Sequence, residues 1–140
     1  YRNGKPWVLE AIQPVKYTPL NAWTKRGVKQ HYVVKRYHQN LNPKQQMKLV
    51  QSAEKHLGKN YDVYFGWGNE AMYCSEIVWK AYHEALNIQL APLQKLRQFD
   101  LSATPVKTLM KQRYGEKIPL NETVIAPEAI FRSQLLKVVH

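Results

Sequence analysis

The stretch Tyr73-Cys74-Ser75-Glu76-Ile77-Val78-Trp79-Lys80-Ala81-Tyr82, continuing through His83-Glu84-Ala85-Leu86, decides how this chain folds. Ile77, Val78, Ala81, Tyr82, Ala85 and Leu86 recur at helical spacing and make a wide apolar stripe, the mark of a buried helix. The preceding residues, Lys59 to Met72, are a Tyr- and Gly-rich loop, so Cys74 falls in the first turn of the helix. It is the only cysteine, which rules out an internal disulfide and a thiolate-cluster metal site. A lone cysteine is most often a small buried apolar residue. Its place here argues otherwise. A helix N-terminus offers free N–H groups and the positive end of the macrodipole; both favour a thiolate and can hold an oxyanion.

Outward from this helix the elements follow from turn and cap chemistry. Asn3-Gly4 is the pair that a type I′ hairpin turn requires, and Trp7 to Ile12 reads as the strand after it. The chain opens at Tyr1 in mid-hairpin, so the expectation is a further strand upstream of these residues. Thr18-Pro19 reads as the cap and first position of a short helix stopped by Gly27. His31 to Tyr37 reads as a strand. Asn42-Pro43 opens a helix running to Leu57, with Met47, Val50, Ala53 and Leu57 on one face and Gly58 closing it. Thr104-Pro105 and Ala126-Pro127 start two more helices, and Leu135 to Val139 reads as a strand. Helices and strands alternate without a βαβ period, which indicates an α+β domain spanning 1–140.

Composition narrows the function classes. The chain has 140 residues, 44% of them apolar and 22% charged, which is globular rather than disordered. Lys plus Arg is 21 against 10 for Asp plus Glu, a formal charge of +11. Such an excess attracts polyanions: anionic lipid, wall polymer or nucleic acid. The basic residues are scattered, however; the densest cluster is Lys25, Arg26 and Lys29. No zinc-finger spacing and no phosphate-cradling Gly-rich loop is present, so nothing points to a specific nucleic-acid partner.

Gly58-Lys59-Asn60-Tyr61-Asp62, followed by Tyr73-Cys74-Ser75-Glu76-Ile77-Val78-Trp79-Lys80-Ala81-Tyr82, resembles the NlpC-type papain-like cysteine hydrolases of bacterial cell walls. The closer resemblance is to their circularly permuted branch, related to the lecithin–retinol acyltransferases. Glu10-Ala11, Val15 to Leu20 and Trp23 also fit that branch, and the match runs from residue 1 to about residue 130. The mainstream enzymes carry Asp-Cys-Ser-Gly at the nucleophile, so Tyr73 and Glu76 depart from their pattern. The resemblance implies a papain-like fold of permuted topology, an antiparallel sheet packed against helices, and the nucleophile at a helix N-terminus. It implies amide hydrolysis through an acyl-enzyme, with a peptide or acyl substrate such as a cell-wall peptide, and no metal or organic cofactor. It also implies a periplasmic or secreted protein working beside an anionic wall or membrane surface. Two other readings stay open: a lipid acyltransferase or thioesterase of the same fold, and a non-catalytic basic binding module.

The same resemblance implies a Cys–His pair and a third polar group, with the histidine on the strand before the Asn3-Gly4 turn. His83 is nine residues along the same helix, about 13 Å from Cys74 on a 1.5 Å rise. His140 is terminal, His31 and His38 flank a strand, and His56 ends a helix on a wet surface. Glu10 is the candidate third member, since it interrupts an apolar strand; alternation puts it with Val8 and Ile12, and the alternative is a carboxylate in solvent. Tyr61 is the candidate oxyanion or substrate-carbonyl donor, or else a packed aromatic. Tyr73 is read as a pocket wall beside the thiol, with a place in substrate or oxyanion binding. Tyr64 and Trp67 are candidate cleft residues, and Asp62 caps a turn or touches substrate.

Overall fold

A computed structural model describes residues 1–140. Asn3 and Gly4 both take positive φ, 50° and 73°. Arg2 and Lys5 exchange both backbone hydrogen bonds across them, at 2.9 and 3.1 Å, the geometry of an Asn-Gly hairpin turn. Strand β1 (Trp7–Glu10) follows and pairs antiparallel with β2 (Lys16–Pro19), Val8 opposite Thr18 and Glu10 opposite Lys16. Thr18 and Pro19 therefore end a strand rather than cap a helix. Helix α1 (Leu20–Thr24) starts after them and has no side-chain cap. Thr18 is committed to the ladder, and a proline at a strand end forfeits no ladder hydrogen bond.

Strand β3 (Lys35–Tyr37) is shorter than the run His31 to Tyr37 suggests. It pairs antiparallel with β8 (Leu136–Val138), so its length is set by that partner. Before it, Val28–Gln30 form a single 3₁₀ turn, and Tyr32 packs its ring on His140 and edge-on to Trp23. Helix α2 (Pro43–Glu54) begins with a full capping box. The Asn42 side chain accepts from the Gln45 N–H, and the Gln45 side chain accepts from the Asn42 N–H, both at 2.9 Å.

The face that α2 turns inward is not the apolar one. Met47 and Val50 are 55% and 50% exposed, while Ser52 and, just past the helix, His56 are buried. The Ser52 hydroxyl donates to Glu84 at 3.1 Å, so a polar bond spans the contact between α2 and α3, with Leu49 and Ala53 of α2 half-buried. His56 likewise sits inside, not on a wet surface, with Nδ1 3.2 Å from the Lys59 ammonium.

Two short strands, β4 (Asn60–Tyr61) and β5 (Ala71–Met72), pair in parallel and bracket the loop between them. Helix α3 (Cys74–Leu86) begins two residues after β5 and is closed by Asn87 in the left-handed region. Beyond it, β6 (Gln94–Lys95) pairs antiparallel with β7 (Thr123–Val124) around helix α4 (Thr104–Tyr114), and α5 (Pro127–Phe131) precedes β8. The fold is mixed α+β. Its strands form four separate pairs, three antiparallel and one parallel, rather than one continuous sheet. Each strand is only two to four residues long.

The core is two small clusters joined by α3. Ile77 packs with Ala11, Val15 and Met72, and Trp79 packs with Tyr73, Ala91 and Ile125. Fully burying a side chain of the Met72 or Ile77 class contributes about 1.5–3 kcal/mol. β1 meets the first cluster through Leu9 and Ala11, which leaves Val8, Glu10 and Ile12 on its other face.

Burial, then the neighbouring Lys59, pushes the basicity of His56 down. The folded chain therefore holds this imidazole neutral. Its contribution is complete above the ordinary histidine range and is lost as pH falls below it, because the unfolded chain then binds the proton more tightly. Thermal unfolding followed from about pH 7.5 to about pH 5.5 is expected to show a falling midpoint, with a shallower fall in His56→Gln.

Candidate active site

The first turn of α3 is anchored on three sides while its thiol is left open. Tyr73, Ser75 and Glu76 are buried, and Cys74 between them is exposed. The Ser75 hydroxyl donates to the Ile125 carbonyl at 2.7 Å, and the Ile125 N–H donates to the Tyr73 phenol oxygen at 3.1 Å. Glu76 reaches back to accept from the Tyr73 N–H at 3.3 Å, and its other oxygen meets the Lys80 ammonium at 2.7 Å. Lys80 in turn donates to the Gly68 carbonyl and, at 2.9 Å, to Asn69, and lies over the Trp67 ring. The loop before the nucleophile is thus tied to the second turn of the nucleophile's own helix. Burial pushes the Glu76 carboxyl up from its ordinary range, against the opposing pull of Lys80.

Cys74 opens onto two cavities. The larger, about 810 Å³, lies along β1 and the flank of α3 and is lined by Glu10, Trp23, Tyr61, Val63, Ile77 and Val78 among others. The smaller, about 410 Å³, lies under α4, with Phe65, Phe99, Val106, Met110 and Ile125 in its wall. Tyr61 and Cys74 belong to both, so the thiol and this phenol stand on the ridge between them.

Tyr61 is held in place from the backbone, its N–H donating to the Gln13 side chain at 2.7 Å. Burial, and next the charge of Cys74 beside it, pushes its phenol up, so it remains a protonated donor at neutral pH. Tyr73 is different. Its ring forms part of the wall of the smaller cavity, but its phenol oxygen is occupied by the Ile125 N–H and the side chain is buried. It is a wall of the smaller cavity and an anchor for the first turn of α3, its oxygen accepting from Ile125 just past β7.

Glu10 does line the larger cavity with Cys74, but its carboxylate is not free. One Arg26 nitrogen donates to both carboxylate oxygens, at 2.7 and 2.6 Å. The basic cluster near residue 26 therefore supplies Glu10's partner, and Glu10 sits at the wall between this cavity and a smaller cleft containing Arg26 and His31. None of the five histidines lines either cavity at Cys74. His38 is bonded to the Leu135 carbonyl, His83 stacks on Trp79, and His140 packs on Tyr32. Asp62 closes a turn by accepting from the Tyr64 N–H at 2.8 Å. Trp67 packs against Trp79, and Tyr64 is exposed against Tyr114; neither reaches the cavities. The α4 wall was not singled out from sequence. Its only trace there is the Val106, Met110 spacing in a helix that otherwise reads as surface.

This constellation has known relatives. The profile of the permuted papain-like amidase enzymes of the YaeF/YiiX type, C92 family, matches residues 1–140. The chain belongs to this family. It is 49% identical over 138 residues to the uncharacterized protein YiiX of Escherichia coli K12, covering 99% of this chain and 68% of that one. A crystal structure of the metalloprotein YiiX from Escherichia coli O157:H7, DUF1105, superposes with a TM-score of 0.95 at 49% identity, over 99% of this chain and 77% of that chain. Residues 1–140 hold no group of three or more His, Cys, Asp or Glu side chains in a metal-binding arrangement.

Because Lys80 is the only counter-charge on buried Glu76, Lys80→Ala is expected to destabilise the fold by ~3–5 kcal/mol. The paired change Glu76→Gln with Lys80→Met restores most of it. Urea midpoints of the three proteins check this, and a Lys80→Ala loss under ~1 kcal/mol contradicts it.

Proposed function

We propose that this chain is a cysteine amidase that works through an acyl-enzyme on Cys74. The observation that carries the reading is the anchored, open first turn of α3, where an exposed thiol stands beside the half-buried Tyr61 on the ridge between two cavities. The sulfur attacks the amide carbonyl, the carbon–nitrogen bond breaks, and the thiol proton leaves on the amine. Water then hydrolyses the thioester. The N–H groups of the α3 first turn and the Tyr61 phenol stabilise the negative oxygen of the intermediate. Glu10, held by Arg26, is the carboxylate that orients and balances the charge of the base that takes the thiol proton.

The family resemblance and the charge of +11 support a substrate such as a cell-wall peptide, met at an anionic wall or membrane surface in a periplasmic or secreted setting. Lys44, Lys48 and Lys55 of the α2 region line one shallow groove with His83, away from Cys74, which suits a surface contact rather than substrate recognition. A second reading, an acyl amide or ester, is favoured by the apolar lining at Cys74, ten of twelve residues in the larger cavity and twelve of fifteen in the smaller.

Cys74→Ala is expected to abolish amide hydrolysis, and the intact enzyme to show a Cys74 thioester by mass spectrometry of rapidly quenched reactions. Tyr61→Phe lowers kcat by ~10²-fold or more. Glu10→Gln lowers it by ~10²-fold with the fold unchanged. Hydrolysis that persists in Cys74→Ala overturns the reading. Replacing Lys44, Lys48 and Lys55 by Gln is expected to weaken sedimentation with anionic vesicles, while leaving salt-insensitive binding untouched.

A further inference from the structure

The two cavities at Cys74 differ in what they offer a substrate. The larger carries the Glu10–Arg26 ion pair, and Gln13, whose amide is held by Asn60 and the Tyr61 N–H. A leaving amine needs a proton and a route to water, and the Glu10–Arg26 pair, its guanidinium half exposed, places polar groups and solvent on this side. The smaller cavity, under α4, has no cation in its wall. Its serine is already spent, since the Ser75 hydroxyl donates to Ile125. Its one charge is Asp100, an exposed carboxylate held ionised by the Ser102 hydroxyl and N–H. The remainder is aromatic and aliphatic surface, with Phe99, Val106 and Met110 facing Phe65 and Ile125.

We propose that the α4 cavity is the acyl-side subsite and that it takes an extended, uncharged apolar acyl group, the carbonyl carbon at Cys74 and the amine toward Glu10. This deepens the reading of Cys74 as an acyl-accepting nucleophile and rests on it. A volume of about 410 Å³ exceeds what an acetyl group fills and accommodates a medium alkyl chain or an aromatic acyl group. A carboxylate at the far end of that group meets apolar walls and the like charge of Asp100, so desolvation and repulsion disfavour it; the α4 cations near this wall are Arg113, stacked on the Phe65 ring, and Lys107, whose charge already acts on Asp100. The cavity thereby selects against the acidic side chains of a wall peptide on the acyl side of the scissile bond. The reaction balances as amide plus water to carboxylic acid plus amine, the acyl carbon bonded to Sγ in between.

The test is a series of p-nitroanilides hydrolysed by the full-length protein: acetyl, butanoyl, hexanoyl, octanoyl, and suberoyl, which matches octanoyl in length but ends in a carboxylate. Expected is a rise in kcat/KM of roughly threefold to fourfold per methylene until the cavity is filled. Suberoyl falls at least about tenfold below octanoyl. Val106→Trp, and separately Leu101→Trp, lower the octanoyl-to-acetyl ratio at least about tenfold by filling the space, with folding checked by circular dichroism. A flat series, or suberoyl equal to octanoyl, overturns the subsite while leaving the amidase reading intact. Binding of octanoyl anilide to Cys74→Ala separates the two failures. Binding that Val106→Trp removes, with no turnover by the intact enzyme, supports the subsite and overturns the amidase reading; absence of binding overturns the subsite.

Discussion

The burial of Glu76 against Lys80 is the constraint on which the site depends. A carboxylate with no exposed surface costs several kcal/mol to desolvate, and the ammonium one turn along the same helix, with the Tyr73 N–H, offsets it. That ammonium also holds the Gly68 carbonyl, the Asn69 side chain and the Trp67 ring. The loop that delivers the chain to Cys74 is therefore shaped by a pair that lies within α3. The Tyr73 N–H and the Ser75 hydroxyl complete the arrangement, so the residues on both sides of the thiol are fixed while the thiol itself faces open space. A core of apolar groups alone would make the helix as stable, but it would not dictate where its first turn begins.

Charge is segregated from chemistry in this molecule. The formal charge is +11, yet no lysine or arginine lines either cavity at Cys74. Arg26 is turned to Glu10, Lys80 is consumed inside, and the α2 lysines lie along a groove at the opposite end of α3. A surface that attracts polyanions and a reaction centre walled by apolar side chains have different tasks: the first concentrates the protein near its partner, and the second chooses what touches sulfur. α2 shows the same division. Its Met47 and Val50 stay exposed, and its most buried residue is the polar Ser52, bonded to Glu84.

Much of this was legible in the order of residues. The apolar spacing from Ile77 to Leu86 determined a buried helix, and the loop before it determined that Cys74 opens that helix. The Asn3-Gly4 turn, the Asn42 start of α2 and the Gly115 end of α4 are likewise local, because backbone sterics and nearby side chains decide them; α2 itself ends at Glu54, short of the expected Leu57 and Gly58. The pairing of Tyr61 with Cys74 rested on a motif, and the structure brings both to the same two cavities.

Other features depended on partners far away in the chain. Thr18-Pro19 has the local chemistry of a helix start, but its pairing with β1 made it a strand end. Glu10 reads as a lone carboxylate on an apolar strand until Arg26, sixteen residues on, closes over it. His56 looks like a wet helix end until packing buries it, and nothing near Tyr73 in the chain announces that its phenol oxygen accepts from Ile125, fifty-two residues later. The cavity under α4 had no signature of its own, because it is walled by residues from five separate stretches between Tyr61 and Pro127. Periodicity and capping are short-range and so belong to the sequence itself. Which polar group finds which partner, and what empty space is left between elements, is decided only when distant segments pack, since burial sets the cost of leaving any of those groups unpaired.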